Sequence, residues 1–108
     1  MTDIVFIGMQ RIVLDAYVID VLMPDLVGHD HSPSTFVVYL FLLREAMASR
    51  RDRVSVSLQT IATRTGLAKS TVQTALRRLR RRRLIDPDVP ASAVSPVRVV
   101  LRPWVRRN

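Results

Sequence analysis

Apolar residues recur along this chain with two periods, and an element ends wherever the period changes. From Gln10 to Met23 the spacing is helical, with Ile12, Ala16, Ile19 and Met23 on one stripe and Leu14, Tyr17, Val18, Val21 and Leu22 largely off it. A helix apolar over so much of its circumference is either central to the fold or covered by a second copy of the chain. Pro24 is expected to end it and residues 25–31 to form a loop. Ser32 can then cap a helix that has Pro33 at its first position, where the missing N–H does no harm. Phe36, Val37, Tyr39, Leu40, Leu43 and Met47 carry that helix to about Ser49. Upstream of all this, residues 4–7 read as a short β-rich run set off by Gly8.

Val54 and Val56 alternate with serines as a brief extended segment, and Ser57 can offer its hydroxyl to the N–H of Gln59 or Thr60 at the start of another helix. The stretch that follows has the spacing of a helix-turn-helix. Ala62 stands where two steeply crossing helices approach most closely, and a small side chain lets the backbones meet. Gly66, four residues on, takes the left-handed conformation of a helix end at little cost. Leu67 and Val72 supply apolar contacts from the second helix back onto the first. That second helix should run to about Arg83. Leu84 and Ile85 then begin a strand, residues 86–96 form a loop carrying Pro87, Pro90 and Pro96, and residues 97–102 form a second β-rich run. A hairpin directly after a reading helix is a wing, so the expected fold is mainly α with a small β-hairpin.

Helical geometry separates core from surface in the last helix. At about 100° per residue, Val72, Ala75, Leu76 and Leu79 share one face. Ser70, Thr74, Arg77 and Arg81 lie opposite, with Gln73 and Arg78 at the edges. Arginine can pair with guanine in two hydrogen bonds, glutamine with adenine, and serine or threonine with several partners. Lys69, Ser70, Gln73 and Thr74, near the helix start, should enter a major groove most deeply, and Arg77 is the arginine expected at a base edge. Gln59 and Thr71 complete the expected contact set. In the final strand Arg98, Val100 and Arg102 share one face and Val97, Val99 and Leu101 the other; the arginine face suits a phosphate backbone or a minor groove.

Residues 66–72, followed by Ala75, Leu76, Arg77, Arg78, Leu79, Leu84 and Ile85, resemble the winged helix-turn-helix proteins of bacteria. The MarR and GntR types and the helix-turn-helix domains of some replication and plasmid proteins are similar. The resemblance covers residues 32–102 and implies a DNA-binding domain over residues 32–108. Residues 1–31 are left as a separate apolar segment. One position departs from the pattern: these families usually place a capping side chain before the reading helix, and Ala68 cannot accept a hydrogen bond there. Losing a cap costs about 1 kcal/mol. Ser70 or a bound phosphate is the expected partial substitute.

Charge sharpens this picture. The 108 residues carry a net charge of +8. Residues 1–48 hold two basic and six acidic side chains, residues 49–108 fifteen basic and three acidic. A chain made basic merely for solubility has no reason to segregate charge in this way; a protein with one face on nucleic acid does. Six arginines, at 77, 78 and 80–83, spread around the helix, so not all can meet one groove. Arg80 and Arg83 lie nearer the core side, where Asp86, Asp88 or water can satisfy them. Arg106 and Arg107 could extend the contact of the wing.

Other chemistry has little to stand on. The absence of cysteine leaves neither a disulfide framework nor a thiolate metal site. Asp25, His29, Asp30 and His31 offer metal ligands within a short loop, but two histidines one residue apart are more often ordinary surface groups, and no metal or cofactor is expected. No glycine-rich phosphate loop or nucleophile motif is present, so an enzyme is not expected. Trp104 should cover an end of the core or a dimer contact. Charges interrupt every apolar stretch short of a membrane span, and Asp3 stands where a leader peptide would be basic. The expectation is a cytoplasmic, nucleoid-associated regulator of transcription that pairs through its N-terminal helix. A plasmid or phage replication or partition protein, and a winged module that meets protein or RNA, remain the alternatives.

Overall fold

The computed structural model describes residues 10–92, residue 94 and residues 96–105. The β-rich run expected at residues 4–7, and Arg106 and Arg107, lie outside them. Helix α1 (Pro33–Ser49) is the centre of the fold. Its residues Thr35, Phe36, Val38, Tyr39, Leu42 and Leu43 are buried at helical spacing, and it packs on the helical stretch Pro24–His29, on the two helices that follow it and on the first strand. Strand β1 (Arg53–Ser55), helix α2 (Leu58–Thr65), helix α3 (Lys69–Arg81) and strand β2 (Val97–Val99) follow. The architecture is a winged helix-turn-helix with an additional helical segment before it.

The small sheet is built differently from the expected hairpin. β2 pairs antiparallel with β1, in the register Arg53↔Val99, Val54↔Arg98 and Ser55↔Val97. The segment after α3 contributes one bridge, Ile85↔Val100, flanked by hydrogen bonds from Leu101 N–H to the Leu84 carbonyl and from Asp86 N–H to the Val99 carbonyl. Pro87 comes next, and a residue without an N–H cannot continue the ladder. Leu84 and Ile85 are both buried, as is Val100. This stretch is short because it threads between core and sheet before the chain turns out into the loop.

The N-terminal segment corrects two expectations. Residues 10–15 are not helical, and Pro24 does not end the helix. Two π-helical stretches, Val18–Leu22 and Pro24–His29, run through the proline. In an α-helix the Pro24 ring would strike the carbonyl four residues back and remove a donor. A wider turn relieves that clash: the Met23 N–H reaches the Val18 carbonyl, and the Asp30 N–H reaches that of Asp25 at 2.9 Å. The inward stripe also differs. Val18, Leu22 and Leu26 are buried and join the same core as α1 and α3, whereas Ile12, Ile19 and Met23 remain 54, 42 and 38% exposed.

Aromatic residues close one end of the core. The fully buried Tyr39 donates its hydroxyl to the Leu101 carbonyl at 2.6 Å. Trp104 stacks on Tyr17 with centroids 4.8 Å apart, meets Tyr39 edge-on at 6.5 Å, and donates Nε1–H to Asp15 at 2.8 Å.

The acidic N-terminal part and the basic remainder are joined at Arg82. Its guanidinium lies 2.6 Å from Asp25 and 2.9 Å from Asp30. Asp30 is held below the ordinary carboxylate range, foremost by its hydrogen bond with His29 and then by the charge of Arg82, against the opposing effect of burial. For Arg82 itself burial would lower the pKa, but the bonds and charges of Asp25 and Asp30 outweigh it and raise the value. A carboxylate depressed by folding contributes stability above its unfolded pKa and loses it as pH falls through the folded one. Arg82→Ala should therefore cost roughly 1 kcal/mol at neutral pH, because the groups are partly exposed. It should also make the loss of stability on acidification shallower, which denaturant midpoints measured between about pH 7 and about pH 2 would record.

Candidate nucleic-acid interface

The turn between α2 and α3 is fixed by local hydrogen bonds. Ser57 Oγ accepts the Thr60 N–H at 3.1 Å, so the expected cap forms with the second of its two possible partners. At the other end of α2, Gly66 adopts φ 80° and donates its N–H to the Ala62 carbonyl at 2.9 Å. Thr65 has a part that its sequence position did not advertise. Its hydroxyl donates to the Ile61 carbonyl at 2.6 Å and accepts the Leu67 N–H at 3.3 Å, holding the backbone on both sides of the glycine.

α3 then begins without a side-chain cap: Ala68 is extended, at φ −67° and ψ 150°, and offers only its carbonyl, to the Val72 N–H. Val72, Ala75, Leu76 and Leu79 are buried. Lys69, Ser70, Gln73, Thr74, Arg77 and Arg81 are exposed, and Thr71 and Arg78 are half-buried. Arg77 donates to the Thr74 hydroxyl at 3.2 Å, and Gln59, exposed on α2, donates to the Thr63 hydroxyl at 3.1 Å. A recess of about 620 Å3 lies between the starts of α2 and α3 and the last strand, and its lining includes Ser57, Gln59, Lys69, Gln73, Arg77 and Arg98. Arg78 and Arg81 border a second hollow together with His29, Asp30 and Arg82.

The arginine run divides by partner. Arg80 donates to the Pro87 carbonyl at 2.9 Å rather than pairing with Asp86 or Asp88, and Arg82 is tied to Asp25 and Asp30. Among the described residues, Arg77, Arg78, Arg81 and Arg83 have no acidic partner. Asp25, His29 and Asp30 do bring their ligand atoms within 4.8 Å of one another, but the Arg82 guanidinium already occupies both carboxylates.

The final strand requires a correction. The face shared by Arg98, Val100 and Arg102 is not a free arginine face, because Val100 plugs into the core cluster and turns that side inward. Arg98 is half-buried and donates to the carbonyls of Val56 at 2.8 Å and Pro96 at 3.2 Å. Burial, and after it the charge of Arg80, holds its pKa below the ordinary guanidinium value. Arg80 and Arg98 thus brace the two ends of the loop from inside. Arg102 points to the other end of the molecule and lies 3.6 Å from Asp15. The loop itself carries Asp86 and Asp88 and no basic residue, and Val94 on it is 95% exposed.

Three helices with a tight glycine turn, backed by a short antiparallel sheet, define a winged helix-turn-helix. The profile of a family described as "Helix-turn-helix domain" matches residues 32–85, half of the chain, and the chain belongs to that family. No curated protein and no solved structure matches. The helix-turn-helix is a DNA-binding fold, and DNA is the partner class it implies. Among the described residues no helix is long and apolar enough to cross a membrane.

The uncapped start of α3 gives a direct stability test. The backbone of Ala68 already has the extended conformation of a capping residue. Ala68→Ser should therefore raise the unfolding free energy by about 1 kcal/mol without altering the fold, as measured by urea denaturation.

Proposed function

We propose that this chain is a sequence-specific double-stranded DNA-binding protein that regulates transcription. The observation that carries the reading is the two-sidedness of α3: an apolar face sunk in the core, and Ser70, Gln73, Thr74, Arg77 and Arg81 exposed on the other side. Ser70, Gln73, Thr74 and Arg77 meet base edges in the major groove, with Lys69 beside them. Gln59, Thr71, Arg78 and Arg81 hold the phosphate backbone and set the register. Arg98 lines the recess beside this surface and positions the loop. Arg102, at the far end of the strand, stands apart from the group. The segment 32–108 forms the DNA-binding part and the segment 1–31 the pairing part, in a cytoplasmic protein associated with the nucleoid.

Two copies of the reading helix are needed for a two-fold operator. Support for a homodimer comes from the apolar side chains left in solvent on the N-terminal segment: Ile12, Val13, Ile19, Val21 and Met23 are all exposed. Val18, Leu22 and Leu26 anchor the same segment on the core, so its outer side is presented on a fixed support.

Arg77→Ala combined with Arg81→Ala should weaken binding to every duplex and reduce the slope of log affinity against log salt by about 1 for each phosphate contact removed. An unchanged slope would mean that phosphates are held elsewhere. Gln73→Ala or Thr74→Ala should relax sequence preference instead, with nonspecific affinity little altered, as competition among random duplexes would reveal.

Ile12→Glu with Ile19→Glu should halve the mass seen by light scattering while leaving the helical circular dichroism in place. A parent protein that is already monomeric at the concentrations at which it binds DNA removes the dimer from this account.

A further inference from the structure

A second group of arginines lies outside the reading surface, in the turn between α1 and β1. Arg50, Arg51 and Arg53 are exposed, and among the described residues none of them has a side-chain partner. Against them stands one carboxylate, that of Asp52, so the turn keeps an excess of two positive charges. Like charges held side by side repel one another, and the fold places no further anion here to offset them. The arginines of the surrounding elements are already paired. Arg102, after β2, lies 3.6 Å from Asp15, and Glu45 is shared by Arg44 of α1 at 3.5 Å and Arg64 of α2 at 3.9 Å.

The turn and the reading surface are at opposite ends of the small sheet. Arg53 pairs with Val99, whereas Ser55 pairs with Val97, next to Pro96, which lines the recess at the starts of α2 and α3. No positive track joins the two ends. Residues 54–63 carry no charge, and Arg98, which stands opposite Val54, has its guanidinium committed to the carbonyls of Val56 and Pro96. A single duplex held by α3 would have to cross this uncharged strip to reach the turn.

Composition selects the kind of partner. In residues 49–55 every exposed side chain is polar or charged, and the one apolar residue, Val54, is buried. Protein interfaces are built round an apolar core, which this turn does not offer. A phosphate backbone needs only cations, and a guanidinium can give one phosphate two parallel hydrogen bonds.

We infer that the turn of residues 50–53 holds the phosphate backbone of a second DNA duplex, so that one copy of the protein bridges two duplexes. Contact through phosphates alone carries no sequence preference, so the second duplex can be of any sequence. The bridge rests on the reading proposed for α3, which supplies the first duplex.

A biotinylated duplex of random sequence fixed to beads, loaded with the full chain and offered a second, fluorescent duplex, tests it. The parent should retain the second duplex and release it as salt rises. Arg50→Asn, Arg51→Gln and Arg53→Gln together should cut retention by about tenfold, while affinity for a single duplex changes by less than about twofold. Asparagine tolerates the left-handed backbone of Arg50, at φ 57°, so the thermal midpoint should hold. Asp52→Asn removes the opposing carboxylate and should raise retention; the backbone carbonyl of residue 52 still accepts the Val100 N–H. Retention by the triple variant at the parent's level would overturn the inference, since paired reading helices alone would then account for the bridge. So would displacement of the second duplex by single-stranded RNA at a lower concentration than by duplex DNA. Single-duplex binding that survives Arg77→Ala with Arg81→Ala but is lost in the triple variant would overturn the α3 reading, and the bridge with it.

Discussion

The burial of one face of α1 is the constraint on which the remaining structure depends. Val38, Tyr39 and Leu42 are fully enclosed, and the N-terminal segment, α2, α3 and β1 all pack on this helix. Its position determines the direction of α3, and hence which side of α3 is left for solvent. Hydrophobic burial is non-directional, so it fixes the layers but not the turns between them. Directional bonds add what it lacks: the Ser57 cap, the carbonyl bonds of Thr65 and Gly66, and the long-range bond from the Tyr39 hydroxyl to Leu101.

Arginine has two kinds of employment in this protein. Arg80 and Arg98 spend their donors on backbone carbonyls at the ends of a loop, and Arg82 spends its charge on two aspartates. Arg77, Arg78 and Arg81 stand on or beside the outer side of α3 and form no ion pair among the described residues. The arginine run is therefore not all available to an external polyanion, because Arg80 and Arg82 are already engaged within the protein. The loop of residues 86–96 adds shape without positive charge, because its only ionic residues are Asp86 and Asp88.

What the sequence made legible was local. Ala62, Gly66 and Ser57 announce the helix-turn-helix because each answers a steric or hydrogen-bonding need within four residues of itself. The inner and outer faces of α3 follow from helical periodicity alone, and the structure has the same division. Longer-range features were hidden. Arg82 meets Asp30 across fifty-two positions of sequence, and nothing nearby selects it from its five neighbouring arginines. Period-two alternation placed Arg98, Val100 and Arg102 on one face, but the strand ends at Val99, Val99 and Val100 are both buried, and Arg98 and Arg102 go to different partners. The helical path through Pro24 was missed because proline normally ends an α-helix, whereas a widened turn accommodates it. Residues that would contact DNA were legible as an exposed set, while their division between bases and phosphates awaits the experiments on α3.

The Arg82 tie has a consequence for how such a protein responds to its medium. The C-terminal end of the reading helix is fastened to the N-terminal segment by charge, and its outer surface would grip phosphate by charge as well. Dissolved ions screen both attractions together. Rising ionic strength would then loosen the mounting of the helix at the same time as its grip, and part of any measured dependence on electrolyte would originate inside the protein.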